Sequence, residues 1–364
     1  MTIKVLVVDD SALMRKKLRA MLEDEDDFSV ETARDGLDAL EKVASFQPDV
    51  VTLDINMPQM DGITCLDTIM ERQPLPVVMV SSLTREGAAI TMKAIEHGAV
   101  GFVEKPGGTI SRNIGLVRAE LVDTIRAASR AHVRARRACA NRRSSGRAQT
   151  RARRILTTTP PRRLTSLATI PGLILVGVST GGPPTIEVLL SALPKNLRWP
   201  IVIAQHMPEH FTSVFARRLD SVCALDVIEV DRVMPLTPGA AYIARGGSDL
   251  EIRRRLDRLT AHPVPADPDH AYHPSVDRMV SSALSVMPAS DLVGVLLTGM
   301  GRDGADAMAR LHRDGGRTIA ESEETAVVFG MPGALVETGH VSAVEPNHLV
   351  AQRLLQWTGG RKRL

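Results

Sequence analysis

Ile3-Lys-Val-Leu-Val-Val8-Asp9-Asp10-Ser11 is a short apolar run that stops on two carboxylates and a hydroxyl. Such a run, with its polar residues gathered at the carboxyl end, reads as a strand buried in a parallel sheet. Working outward, a helix follows from Ser11, with Leu13, Leu18 and Leu22 on one side. Phe28–Thr32 reads as a second strand and Gly36–Ala44 as a helix ended by Pro48. Val50–Leu53, Pro76–Val80 and Val100–Val103 read as strands ending at Asp54, at Ser81-Ser82 and at Lys105-Pro106. Ile114–Ala128 closes the pattern as a helix. Strands alternating with helices at this spacing predict a doubly wound α/β domain.

The pattern restarts at Leu173. Leu173–Val178 reads as a strand, followed by a Gly-rich turn and a helix opened by Pro183-Pro184. Ile201–Gln205, Ala240–Ala244, Leu292–Thr298, Thr318–Ala320 and Ala326–Phe329 read as strands; Val276–Val286 and Ala305–Arg313 read as helices. The fold expectation is therefore two doubly wound parallel-sheet domains, the first flavodoxin-like, the second Rossmann-like. The expected boundaries are 1–125 and 169–358, with 126–168 as linker.

A chain of 364 residues has room for two such cores. Its net charge of +3 hides a cancellation: residues 1–125 carry −8, residues 126–163 carry +13 from 13 arginines, and residues 164–364 carry −2. The arginine run, with Pro160-Pro161, reads as a solvated linker. Aromatic residues are only 3%, too few for a platform that stacks single-stranded bases. Three scattered cysteines, no leader pattern and no apolar run of membrane-spanning length make a cytoplasmic protein the expectation.

In a parallel sheet, functional residues gather at the carboxyl ends of the strands. Here those ends carry Asp9, Asp10, Asp54, Ser81 and Lys105. Converging carboxylates without His or Cys suit Mg²⁺, and a carboxylate beside that ion can attack a phosphoryl group. Lys105 can balance the phosphoryl charge and Ser81 can donate to it. With Asp54-Ile-Asn56-Met-Pro-Gln-Met-Asp61-Gly62 and Glu104-Lys105-Pro106, residues 3–125 resemble a receiver domain of a two-component response regulator. The resemblance implies Asp54 as phospho-acceptor and Ser81 as the switch hydroxyl. It also implies Mg²⁺ held by Asp10, Asp54 and the Asn56 carbonyl, with Asp9 assisting.

Gly177-Val-Ser179-Thr-Gly181-Gly182 satisfies G-x-S-x-G between a strand and a helix. A serine needs a base, and the base needs an orienting acid. Gln205-His206 and Arg302-Asp303 each follow a predicted strand, so Ser179, His206 and Asp303 can converge. Their order differs from the Ser, Asp, His of α/β-hydrolases, pointing to convergence. Backbone N–H groups after Ser179 and around Met300 can form an oxyanion hole. Alternatively, the Gly-rich turn can cradle a phosphate or nucleotide.

Gln205-His206-Met-Pro208, Pro274-Ser-Val-Asp277, Leu297-Thr-Gly-Met300-Gly-Arg-Asp303-Gly304 and Val328-Phe-Gly-Met-Pro332 carry a second resemblance. This half is similar to the catalytic domain of chemotaxis protein-glutamate methylesterases, the CheB family. The resemblance implies hydrolysis of γ-glutamyl methyl esters on chemoreceptor cytoplasmic helices with release of methanol. In some members it also implies deamidation of glutamines. Ser179 would be the nucleophile, His206 base and acid, Asp303 the orienter, with Thr180 and Met300 beside the oxyanion. No cofactor is implied for the esterase step, and a chemotaxis histidine kinase would supply the phosphoryl group. The chain departs from the family's usual residues at Arg245, at Ser248-Asp249 and at Tyr272-His273. Domain order implies that the unphosphorylated receiver covers the catalytic cleft. A competing reading makes the arginine run an anchor for nucleic acid or another polyanion, but no helix-turn-helix pattern accompanies it.

Overall fold

The computed structural model describes residues 2–81, 85–105, 114–131 and 170–359. Most of the arginine-rich stretch, and with it the linker reading, lies outside these residues. The amino-terminal half runs β1 (Ile3–Val8), α1 (Ala12–Glu23), β2 (Phe28–Ala33), α2 (Gly36–Phe46), β3 (Val50–Asp54), α3 (Gly62–Arg72), β4 (Val77–Ser81), α4 (Arg85–Glu96), β5 (Gly101–Glu104) and α5 (Ile114–Ser129). Its sheet has the order β2-β1-β3-β4-β5, parallel throughout. Side chains alternate faces along a strand. Val5 and Val7 therefore pack with Leu22 and Ile125 of α1 and α5, while Leu6 and Val8 pack with Val43 and Leu66 of α2 and α3.

Ser11 caps α1 by accepting the Met14 N–H. Leu18 and Leu22 are buried, but Leu13 is 76% exposed, against the sequence reading. Five residues advance a helix by about 1.4 turns, so Leu13 lies well off the face that Leu18 and Leu22 share. Arg126, first of the arginine run, sits within α5 and pairs with Asp27 and Glu25.

The carboxyl-terminal half holds β6 (Leu173–Val178), α6 (Gly182–Ser191), β7 (Ile201–Gln205), α7 (Glu209–Val222), β8 (Asp226–Val230), β9 (Met234–Pro235), β10 (Ala240–Ala244), β11 (Ser248–Arg255) and β12 (Arg258–Pro265). It continues with α8 (Val276–Val286), β13 (Leu292–Leu296), α9 (Ala305–Arg313), β14 (Arg317–Glu321), α10 (Met331–Glu337), β15 (Ala343–Glu345) and α11 (Asn347–Thr358). Seven strands form a parallel sheet in the order β15-β14-β13-β6-β7-β10-β8. Both expected parallel sheets are thus present.

Two features differ from expectation. An antiparallel sheet, β11-β12-β9, is added beside the second parallel sheet. Ala326–Phe329 is not a strand; it makes one bridge, Phe329 to Gly299. The Val328 N–H donates instead to the Thr298 hydroxyl, so a side chain takes the place of a ladder. No described helix is long and apolar enough to cross a membrane.

In β6, Leu173 and Leu175 face one layer, Ile174 and Val176 the other, all fully buried. Leu175→Ala is expected to destabilise the protein by roughly 2–5 kcal/mol, the usual range for emptying a core site. The check is the urea midpoint of the transition.

Candidate active site

Two sites form at the carboxyl ends of the two parallel sheets. In the first, β1 ends in Asp9, β3 in Asp54 and β4 in Ser81, with Lys105 just past β5. Carboxylate oxygens of Asp9, Asp10 and Asp54 lie within 4.8 Å of one another. The Lys105 ammonium lies 2.8 Å from Asp54 Oδ2 and 2.9 Å from Asp9 Oδ2. Asp9 Oδ2 is buried and faces that ammonium without an aligned hydrogen-bond donor. A buried anionic oxygen short of a donor, beside two more carboxylates, fits a hard divalent cation. A cleft of about 250 Å³ opens here, lined by Asp10, Asp54, Asn56, Ser81 and Lys105 among others. Burial pushes the Asp54 carboxyl up from its usual range against the pull of Lys105. Burial alone would lower the Lys105 ammonium, but Asp54 and Asp9 outweigh it and hold it up.

The second site begins at the β6–β7 register. Val178 pairs with Gln205, so Ser179 and His206 stand one step further on, at adjacent strand ends. The His206 N–H donates to the Val178 carbonyl at 3.0 Å, and the Gln205 side-chain amide donates to both the Ser179 and His206 carbonyls. Asp303 arrives from the loop after β13. Its Oδ2 lies 2.8 Å from His206 Nε2, and the two side chains are only 8% and 9% exposed. His206 Nδ1 is buried without a hydrogen-bond partner among the described residues. The Ser179 hydroxyl makes no hydrogen bond among the described residues.

Asp303 is held by the amino terminus of α8. Val276 and Asp277 donate their N–H groups at 2.7 and 3.0 Å, and the Ser275 hydroxyl donates at 3.2 Å. Burial alone would raise the Asp303 carboxyl; the His206 hydrogen bond, aided by these amides, brings it below the usual range. Sequence reasoning did not assign Ser275 this role. Its signal was a helix-capping serine, and it does cap α8 by accepting the Arg278 N–H.

Glycine is required twice around Ser179. Gly181 has φ +77°, and a Cβ at Gly299 would stand 2.7 Å from Ser179 Cβ. Among the described residues, the Thr180 and Met300 N–H groups find no hydrogen-bond acceptor. Amide donors left open beside a serine hydroxyl are what an oxyanion requires. His210, His262, His270 and His273 stay out of this arrangement; His273 instead faces Asp249 at 3.1 Å.

The receiver lies against the turn that carries Ser179. The Gly181 N–H donates to the Val100 carbonyl at 3.2 Å. Phe102 of β5 stacks on Phe211 of α7, centroids 4.3 Å apart and planes 20° apart. Ala88 and Met92 of α4 bury in the catalytic core cluster, and Arg218 of α7 pairs with Glu96.

Comparison with known proteins finds the same two domains. A family model described as CheB methylesterase matches residues 174–354, and a response regulator receiver domain model matches residues 5–111. A Rhodospirillum rubrum protein named protein-glutamate methylesterase/protein-glutamine glutaminase 3 is 50% identical over 99% of this chain and 97% of its own. A Rhodopseudomonas palustris protein named protein-glutamate methylesterase/protein-glutamine glutaminase 2 is 48% identical over 98% of each chain. The crystal structure of the Thermotoga maritima CheB methylesterase catalytic domain aligns with 51% of this chain and 97% of that one, at 36% identity and a TM-score of 0.49. With relatives half identical along nearly its whole length, the chain belongs to the CheB methylesterase family, its catalytic domain preceded by a response regulator receiver.

Proposed function

We propose that this protein is a phosphorylation-activated hydrolase of glutamate γ-methyl esters on methyl-accepting chemotaxis receptors, using Ser179, His206 and Asp303. The observation that carries this reading is the buried 2.8 Å His206–Asp303 contact beside a serine on a strand–turn–helix elbow. With Nε2 committed to Asp303, Nδ1 is the ring nitrogen left to take the Ser179 proton. The Ser179 oxygen then attacks the ester carbonyl, whose oxyanion meets the open Thr180 and Met300 N–H groups. Collapse breaks the carbon–oxygen bond to methoxide, and His206 returns the proton, releasing methanol. Water, deprotonated by His206, hydrolyses the acyl-serine to a free glutamate and restores Ser179. A glutamine side chain passes through the same sequence with ammonia as leaving group, which accounts for the glutaminase named in the relatives. No cofactor enters either reaction. The test is methanol release from a methyl-esterified receptor by Ser179→Ala.

In the receiver, residues 1–125 with α5 continuing to Ser129, Asp54 is the phospho-acceptor. Mg²⁺ held by Asp10, Asp54 and the Asn56 carbonyl, with Asp9 assisting, would neutralise charge on the phosphoryl group. Asp54 attacks a phosphoryl group supplied by a chemotaxis histidine kinase, Lys105 balances its charge and Ser81 donates to it. Residues 126–168 link this unit to the catalytic one, 169–358, and the protein works in the cytoplasm, nucleic acid not being a partner.

Phosphorylation opens the cleft by shifting a population: a tenfold gain in open form needs only about 1.4 kcal/mol. Phe102→Ala removes an aromatic pair worth about that much from the interface. It is expected to raise methanol release by the unphosphorylated chain about tenfold. Unchanged basal release in this variant would argue against the receiver as a cover.

A further inference from the structure

Asp249 of β11 and His273, on the segment before α8, meet in space. His273 Nδ1 lies 3.1 Å from Asp249 Oδ1. Asp249 is fully buried, and its two oxygens serve four partners. Oδ1 accepts the Ser275 N–H at 2.8 Å as well as facing His273. Oδ2 accepts the Asp267 N–H at 3.0 Å and the Arg278 guanidinium at 2.8 Å. One carboxylate thus grips residues 267 and 275, the two ends of the segment that crosses in front of the catalytic site.

That segment presents Tyr272. Its ring lies flat on the His206 imidazole, centroids 4.6 Å apart and planes 8° apart. Gly301, from the loop that carries Asp303, lies against it: a Cβ there would be in ordinary contact with the phenol oxygen, at 3.6 Å. Asp303 holds His206 at one edge only, so the imidazole can still tilt out of its plane about that hydrogen bond. A parallel ring against its face opposes this tilt. Proton transfer within a triad depends on such alignment, since small misplacements of a reacting group are costly. Ser275, whose N–H Asp249 holds, also donates its hydroxyl to Asp303. Asp249 therefore supports both groups that touch His206.

We propose that Asp249 and Tyr272 act as one clamp that positions His206: Tyr272 sets the plane of the imidazole, and Asp249 sets Tyr272. Both are positioning residues, and the inference rests on Ser179, His206 and Asp303 being the triad.

The experiment uses the full chain with Asp54 phosphorylated and measures methanol release from a glutamyl γ-methyl ester peptide. Tyr272→Leu fills similar space without a flat ring. It is expected to lower kcat about tenfold while KM stays within about twofold. Tyr272→Phe and Tyr272→His restore a flat ring and are expected to recover kcat to within about threefold of the parent. Asp249→Asn is expected to lower kcat by a similar factor, and Asp249→Asn with Tyr272→Leu by no more than the larger single effect, as for groups acting as a unit. The ring current of Tyr272 supplies a separate readout. The His206 ring protons should be shifted upfield in the parent and in Tyr272→Phe, and return downfield in Tyr272→Leu. Parent-like kcat in Tyr272→Leu, or equal losses in Phe, His and Leu, would overturn the clamp. Ser179→Ala run alongside keeps the readings apart: full activity there would sink the triad itself, whereas an inactive Ser179→Ala with a parent-like Tyr272→Leu would sink the clamp alone.

Discussion

Ser179→Ala is expected to reduce methanol release on the order of 10⁶-fold in kcat, the scale seen when a triad loses its nucleophile. The reason is the number of functions that leave with one oxygen. Without it no acyl-serine forms, so His206 can act only on water that nothing aligns. The Thr180 and Met300 amides remain and can still stabilise an oxyanion, which leaves some residual catalysis over the uncatalysed reaction. Phosphorylation of Asp54 should be untouched, because Asp54 stands at the end of β3 in the other sheet. Measuring both activities on one preparation separates a chemical loss from a folding loss. If Ser179→Ala kept its esterase activity, the hydrolytic reading of the elbow would be wrong.

Asp303→Asn should lower kcat about 10⁴-fold, with KM little changed. Asp303 Oδ2 serves two donors, the Val276 N–H at 2.7 Å and the His206 ring at 2.8 Å. Oδ1 accepts the Asp277 N–H at 3.0 Å and the Ser275 hydroxyl at 3.2 Å, and the one oxygen of an asparagine cannot fill both places. If it takes the Oδ1 place, the NH₂ group meets His206 and the Val276 N–H and forces the wrong tautomer. The imidazolium formed in the reaction also loses its counter-charge. A pH effect accompanies this. Asp303 is held below the usual carboxylate range in the folded state, chiefly by His206 against the opposing effect of burial. Its contribution to stability is therefore present above the ordinary aspartate pKa and is lost as pH falls through the depressed folded value. Asp303→Asn should flatten the acid side of the stability profile, which thermal melts between neutral pH and about pH 3 would reveal.

The strands that carry the chemistry were legible because burial on both faces writes continuous apolar runs into β1, β3, β6, β7 and β13. Their polar terminators followed from the same fact: Asp9, Asp54, Ser179 and His206 appear where an apolar run stops, and Asp303 in the loop that follows one. Edge and surface elements were harder to read. β11 and β12 carry Arg253, Arg254, Arg255 and Arg258 and pair antiparallel, so no buried run announces them. α7 and α11 also went unassigned, since a half-exposed helix is written in a weaker pattern than a buried strand.

The segmental charges divided the chain into an acidic half, an arginine run and a near-neutral half, and the strand-end residues named both kinds of chemistry. Those properties are local, fixed by which residues adjoin along the chain. What Asp249 grips, what lies on the face of His206, and that Val100 and Phe102 of the receiver press on the Ser179 turn depend on residues far apart in sequence. Such contacts arise only when two packed sheets bring loop ends together, and no periodicity within a single segment records them.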